Sequence, residues 1–348
     1  MRPLTCQKDR RKARTAALRA QGPRDTRMVM GVTEQACVQD RTMESYQQAV
    51  HDFERTMKSN LGRLSARTLD QLLVCYFDRL FLEGHGAPKG DRLWAAIKHL
   101  APQYEHRGEL VLPRSMRALR GWRRLVPQKT RRPLPWSIVC AIAMHLALAG
   151  GTGMALCWLL MVDCYLRPGE AVALECSQVL PGTRVRHMRE TVLLLHPDER
   201  GISSKTGEYN ESLGVSRSWL GQLVADWSSV RRTTALWDFG LREIRDEFMK
   251  GASALGLGIW KPVLYMGRHT GASLDRLEER RSLSEVQKRG RWRTETSVRR
   301  YEKRALIQEV YLKLAQKIRA QAHRCERELV GTLRRLVGAH VAKARRAR

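Results

Sequence analysis

The chain has 348 residues, 43% of them hydrophobic, and sets 63 Lys and Arg against 35 Asp and Glu, a formal net charge of +28 with a pI near 10.6. It is too apolar for a disordered polycation, and long enough for two domains or one large one with a sizeable core. The positive potential attracts polyanions, nucleic acid first and acidic membrane second.

Eight scattered cysteines with no CxxC pair argue against a zinc finger or ribbon and suit a reducing compartment. Residues 1–40 mix basic residues, Gly and Pro without a period and read as a flexible basic arm. Its RRKAR cluster, Arg10–Arg14, has the composition of a phosphate contact or a nuclear address, and no apolar stretch makes a secretory signal.

From about Ser45 to Leu125 the spacing is helical. Tyr46, Val50, Phe53 and Met57 recur in steps of three and four, as do Leu69, Leu72, Leu73, Tyr76, Phe77, Leu80 and Phe81. Gly84, Gly86 and Pro88 break the run, a further helix covers Asp91–His99, and the basic RSMRALRGWRR closes the segment over Arg114–Arg124. This predicts a compact bundle of four or five helices over 45–125. Residues 126–135, VPQKTRRPLP, hold three prolines and three cations and read as a linker.

Trp136–Leu166 is the most apolar stretch, with no Asp, Glu, Lys or Arg before Asp163. It exceeds the roughly 20 residues of a membrane span. Gly150, Gly151 and Gly153 interrupt it, however, and the shorter pieces read as buried helices. Thr191–Leu195 has strand composition and Leu213–Val215 can return beside it, a hairpin with Lys205 near its tip. Helical patterns follow at Trp219–Trp227 and around Leu236–Leu255. Another helix is expected to start near His269, after Pro262 and Gly267. A long basic amphipathic helix, or two, runs from Arg304 to Leu336, and the tail AKARRAR is expected to be disordered.

Four separated elements carry chemistry-bearing residues. CYLRPGEAVAL holds Arg167 and Glu170, SSKTGE holds Lys205, YMGRHTGAS holds Tyr265, Arg268 and His269, and VQKRGRWRTETSVRRY holds Trp292 nine residues before Tyr301. Each has an ordinary structural explanation. Arg-x-x-Glu is usually a surface ion pair of little worth, and a tyrosine in a basic helix is usually a core-facing ring. Their joint order is harder to explain as accident.

In that order the sequence resembles the tyrosine recombinase, or phage-integrase, family of DNA breaking–rejoining enzymes. The resemblance covers about residues 45–320, with its motifs in 160–305. It is nearest the eukaryotic mobile-element branch, where RGRW…RY replaces the more usual Gly-His pattern. The resemblance implies a mainly α protein: a helical core-binding domain over 45–125 and a mostly helical catalytic domain with a small antiparallel β-sheet over 136–320. A basic C-terminal helix and tail follow at 321–348. It further implies Tyr301 as nucleophile, Arg167 and Arg268 as the phosphate clamp, and Lys205 as general acid. Trp292 would donate a hydrogen bond to the phosphate, Glu170 would orient Arg167, and His269 would support. The departure is Tyr265, which stands three residues before Arg268 where the family usually has histidine. A phenol with a reference pKa of about 10 is a poor base near neutrality.

The implied reaction needs no metal or other cofactor. Attack by Tyr301 on a phosphodiester builds charge that two guanidinium forks can hold, and leaves a covalent 3′-phosphotyrosine. The implied partner is double-stranded DNA, with a homo-tetramer assembled on it, no membrane, and the helix after Arg304 packed on a neighbouring protomer. The basic residues around Tyr301 are expected to face DNA. Localisation follows the substrate: nucleus in a eukaryote, otherwise nucleoid or cytoplasm. The rival reading is a decayed or domesticated recombinase that binds DNA without cutting it. A membrane-associated basic protein or a nucleic-acid packaging protein accounts for the charge but not for the ordered motifs.

Overall fold

The computed structural model describes residues 34, 37–127, 131–198, 209–301 and 304–347. These fall into two compact units, one within Lys8–Thr130 and one within Arg131–Arg348.

The first unit holds α1 (Asp40–Met57), α2 (Ala66–Leu82), α3 (Pro88–Leu100) and α4 (Pro113–Leu125), with short 3-10 turns between. Phe53, Leu69, Leu73, Phe77, Leu93, Ile97, Leu119 and Trp122 form its core. Ser65 caps α2 by accepting the Thr68 amide. Helix α3 starts at Pro88, three residues before the expected Asp91. The fixed φ of proline suits the first helical turn, where no amide donor is needed. Asp70 on α2 is buried and accepts from the Arg114 amide at 3.0 Å, the Ser115 amide at 2.8 Å and the Ser115 hydroxyl at 2.6 Å, so α2 caps the start of α4. This fixes α4 with Arg114, Arg117, Arg120 and Arg124 exposed.

The second unit is built around α5 (Trp136–His145), a π-helical turn over Leu146–Gly150, and α6 (Thr152–Asp163). Both helices are apolar on all sides and buried, as helices at the centre of a large core are. Gly151, at φ 105, makes the corner between them. Among the described residues no helix is long and apolar enough to cross a membrane. Leu134, at the end of the proline-rich stretch, is already core, and its amide donates to Thr270 Oγ1 at 3.0 Å.

A short helix, α7 (Pro168–Val172), leads to an antiparallel sheet ordered β1-β2-β3: Val179–Leu180, Val192–Leu195 and Glu211–Gly214. The expected strands at 191–195 and 213–215 are β2 and β3, paired Val192 to Gly214 and Leu195 to Glu211. Strand β1 has only two residues, too few for a period-2 pattern, and was not foreseen. Lys205 lies outside the described residues.

Helices α8 (Ser218–Ser229), α9 (Leu241–Ala254) and α10 (Met266–Leu277) complete the core. Helix α10 starts before the expected His269 because Gly267 is a packing glycine rather than a breaker. A Cβ there would lie 2.9 Å from Trp158. Next come α11 (Leu283–Gly290), α12 (Glu295–Val298), a 3-10 turn over Arg299–Tyr301, α13 (Arg304–Lys313) and α14 (Gln316–Arg346).

One C-terminal expectation is corrected. The segment written AKARRAR is helical through Arg346, because Leu333 and Val337 bury, Trp227 stacks on His340 at 4.1 Å, and Arg232 donates to the Ala347 carbonyl. The apolar face of α14 packs against α5 within the same unit.

Candidate active site

Arg167 sits at the N-cap of α7, after a left-handed Tyr165 at φ 51. Its amide donates to Glu170 Oε2 at 2.8 Å, and its guanidinium donates to Glu170 Oε1. The Pro168 at the first helical position leaves no competing amide at that end. Glu170 is largely buried, which pushes its carboxyl pKa up. Arg291 and Arg167 outweigh that, and the net result lies below the usual carboxylate value.

Arg291 is the residue that pattern reading missed. It occupies a left-handed position, φ 53, at the end of α11. Nη2 donates to Glu170 Oε2 at 2.7 Å and Nη1 to Glu211 Oε2 at 3.0 Å, so one guanidinium ties the Arg167 segment to strand β3. Burial lowers its pKa, and the two carboxylates raise it more. Arg289, two residues earlier, donates to the Asp163 and Gly214 carbonyls at 2.8 Å and to the Asp163 carboxylate at 3.3 Å. Asp163 also accepts from Arg217 and the Ser216 amide at 2.7 Å each. Arg289 and Arg291 keep only 11% and 7% side-chain exposure. The expectation that the basic residues around Tyr301 all face DNA is therefore corrected: these two are internal ties. A Gly between two such arginines, after a helix and before Trp292, was the only local sign.

Arg268 is 1% exposed. Its two terminal nitrogens donate to the carbonyls of Tyr165 and Gly290, its Nε has no partner among the described residues, and its guanidinium carbon lies 4.6 Å from the centre of the Trp292 ring. Burial, opposed by Tyr265 and reinforced by the charges of Arg167 and Arg291, pulls its pKa down to about 10. It remains cationic at neutral pH.

The remaining residues form a chain of rings. Tyr265, at the N-cap of α10, and His269, one turn further on, have centroids 5.1 Å apart, and Arg131 lies 4.7 Å over Tyr265. His269 to Tyr301 is 5.0 Å, Tyr301 to Trp292 is 4.5 Å, and Trp292 stacks on Tyr165 at 6.1 Å. Tyr301 is 6% exposed and shares a small core with Tyr165, Ala272, Val286 and Val298. His196, at the end of β2 with φ 50, places Nε2 4.0 Å from Glu170 Oε1.

The fold thus brings Arg167, Glu170, Tyr265, Arg268, His269, Trp292 and Tyr301 into one continuous set, with Lys205 outside the described residues. Among the described residues no group of His, Cys, Asp and Glu is arranged to hold a metal ion. Chemically the set offers two phenols, two cationic forks, a carboxylate, an indole donor and an imidazole.

By sequence, neither a family model nor a curated relative matches this chain. By structure it is similar to a XerH site-specific recombinase bound to palindromic difH substrate in a post-cleavage complex. The TM-score is 0.53 at 14% identity, covering 77% of this chain and 78% of that one. It is similar also to a lambda integrase dimer bound to a COC′ core site, with TM-score 0.52 at 15% identity over 84% of this chain and 87% of that one. The mainly helical architecture with its small three-stranded antiparallel sheet is the fold of the tyrosine recombinases.

Proposed function

We propose that this chain is a tyrosine recombinase that breaks and rejoins DNA through a covalent 3′-phosphotyrosine, in the service of a mobile element. The observation that carries the reading is the placement, on a recombinase fold, of His269 and Trp292 beside Tyr301, of Arg268 over Trp292, and of Arg167 near enough for its charge to act on Arg268.

In the proposed reaction the Tyr301 oxygen bonds to a DNA phosphorus while the 5′-oxygen leaves. The imidazole of His269, its centroid 5.0 Å from that of Tyr301, is the neighbouring group that takes the phenol proton in this scheme. Lys205 returns a proton to the departing oxygen. Arg167 and Arg268 hold the charge developing on the non-bridging oxygens, with the Trp292 indole adding a donor. Arg268 must first exchange the Tyr165 and Gly290 carbonyls for phosphate oxygens, which requires the segment from Gly290 to Tyr301 to shift. Glu170 keeps Arg167 in place. The proposed assembly is a homo-tetramer on two duplexes, and the substrate puts the protein in a nucleus or a nucleoid.

A duplex nicked so that the cleaved end diffuses away traps the covalent adduct. The wild-type chain should form one, and Tyr301→Phe should form none while binding the same duplex nearly as well. Equal capture by both proteins rejects Tyr301 as nucleophile.

The second reading is a descendant that binds DNA without cutting it. It is favoured by the burial of Tyr301, the engagement of Arg268 with two carbonyls, and Tyr265 in the histidine position. Duplex binding with no adduct from the wild-type chain is its signature.

A further inference from the structure

The two faces of α14 meet different surroundings. Ala322, Leu329, Leu333 and Val337 are buried in the second unit, and Leu336 and Val341 pack beside them. At ~100° per residue, the opposite side collects Arg324, Arg327, Arg334, Arg335, Arg345 and Arg346, and all six are exposed. The only acids of the helix are Glu326, which faces His323, and Glu328. Among the described residues no ion pair joins any of the six arginines to a carboxylate. Across the groove between α8 and α14, Asp226 shares the lining with Arg334 and Arg345.

Gly331, Gly338 and Ala342 fall between these arginines, and a Cβ at either glycine would meet no atom within 4 Å. The surface is therefore low and open, and the guanidinium groups stand above it. From Arg324 to Arg346 the helix rises about 33 Å, close to the ~34 Å of one turn of duplex DNA. A membrane-surface helix needs its apolar face free to enter the lipid, and here that face is the one already buried.

We propose that this face of α14 is a second nucleic-acid-binding surface, distinct from the Tyr301 site, which holds the phosphate backbone of duplex DNA. It rests on the reading of the chain as a DNA-acting protein. It contributes affinity and placement rather than sequence choice, as cation–phosphate contacts do. It also gives the cationic face of α14 a partner in the free protomer, whose apolar face is already covered.

The test uses the full chain carrying R327Q, R334Q, R335Q and R346Q together, and separately Ala342→Glu, which sets a carboxylate among the arginines without a poor helix former. Affinity for a labelled duplex is measured across a salt series, together with adduct formation on the nicked duplex at saturating DNA. The quadruple variant should bind tenfold or more weakly, with the slope of log affinity against log salt shallower by about two to four. Ala342→Glu should weaken binding in the same direction. Adduct yield at saturation should match wild type. Unchanged affinity and slope in both variants overturn the proposal, as does loss of binding to phosphatidylserine vesicles with duplex binding intact. If the variants lose duplex affinity but even the wild-type chain forms no adduct, this surface stands and the strand-cleaving reading falls.

Discussion

Arg291 Nη2 donates to Glu170 Oε2 at 2.7 Å while its Nη1 donates to Glu211 Oε2 at 3.0 Å, a buried cation shared by two carboxylates from distant parts of the chain. Breaking such a pair leaves uncompensated buried charge. Arg291→Ala should therefore cost about 3–5 kcal/mol at neutral pH. The pH dependence has a definite sign. Glu170 titrates below its ordinary value of 4.5 in the folded protein, so its stabilising share is full above that value and is lost as pH falls through the lower folded one. Burial is already the largest single influence on Glu170, so removing Arg291, the strongest of those opposing it, raises the Glu170 pKa and acidification relieves the variant. Urea denaturation should show the gap between wild type and variant narrowing from neutral pH toward about pH 5. A gap that widens in acid would refute the assignment.

His269 and Tyr301 have ring centroids 5.0 Å apart, with Tyr265 on the other side of the imidazole at 5.1 Å. If the imidazole takes the phenol proton, His269→Gln slows single-turnover adduct formation by about 100-fold. Duplex affinity should stay as in wild type. A variant that keeps the wild-type adduct rate rules His269 out as the acceptor.

Gly271 lets α10 lie against α6. A Cβ at this position would sit 1.8 Å from the Val162 carbonyl oxygen and 2.8 Å from Tyr165 Cδ1. The nearest clash is with backbone, which cannot rotate aside, and the same helix carries Arg268 and His269. Gly271→Ala should destabilise by about 3 kcal/mol or more and lower adduct yield at temperatures where the protein stays folded. A urea midpoint equal to wild type would show that α10 can withdraw at no cost.

Much of this protein is legible in one dimension. Steps of three and four residues locate most helices, and the strand at 192–195 follows from its β-branched and leucine-rich run, whereas the return strand, expected at 213–215, is Glu211–Gly214, whose register is set by pairing with β2 rather than by its composition. The glycines are less legible. Gly267 looked like a boundary and is a contact, because a glycine marks a turn and a close approach with the same letter. The C-terminal segment misled for a related reason. Its composition favours solvent, and only the docking of Leu333 and Val337 shows why it stays helical.

The sequence by itself determined which groups are present, their order, and the sign of the field around them: Arg167, Lys205, Tyr265, Arg268, His269, Trp292 and Tyr301 in a chain of net charge +28. Only the tertiary structure decided which cations face solvent. Arg289 and Arg291 look as DNA-facing as their neighbours, yet their acceptors wait 126 and 121 residues away at Asp163 and Glu170. The arginines on the outer side of α14 meet no such acceptors and stay exposed. Charge and periodicity are local properties of a sequence. Burial of a guanidinium is not, because it requires distant carbonyls and carboxylates to converge before water can be removed.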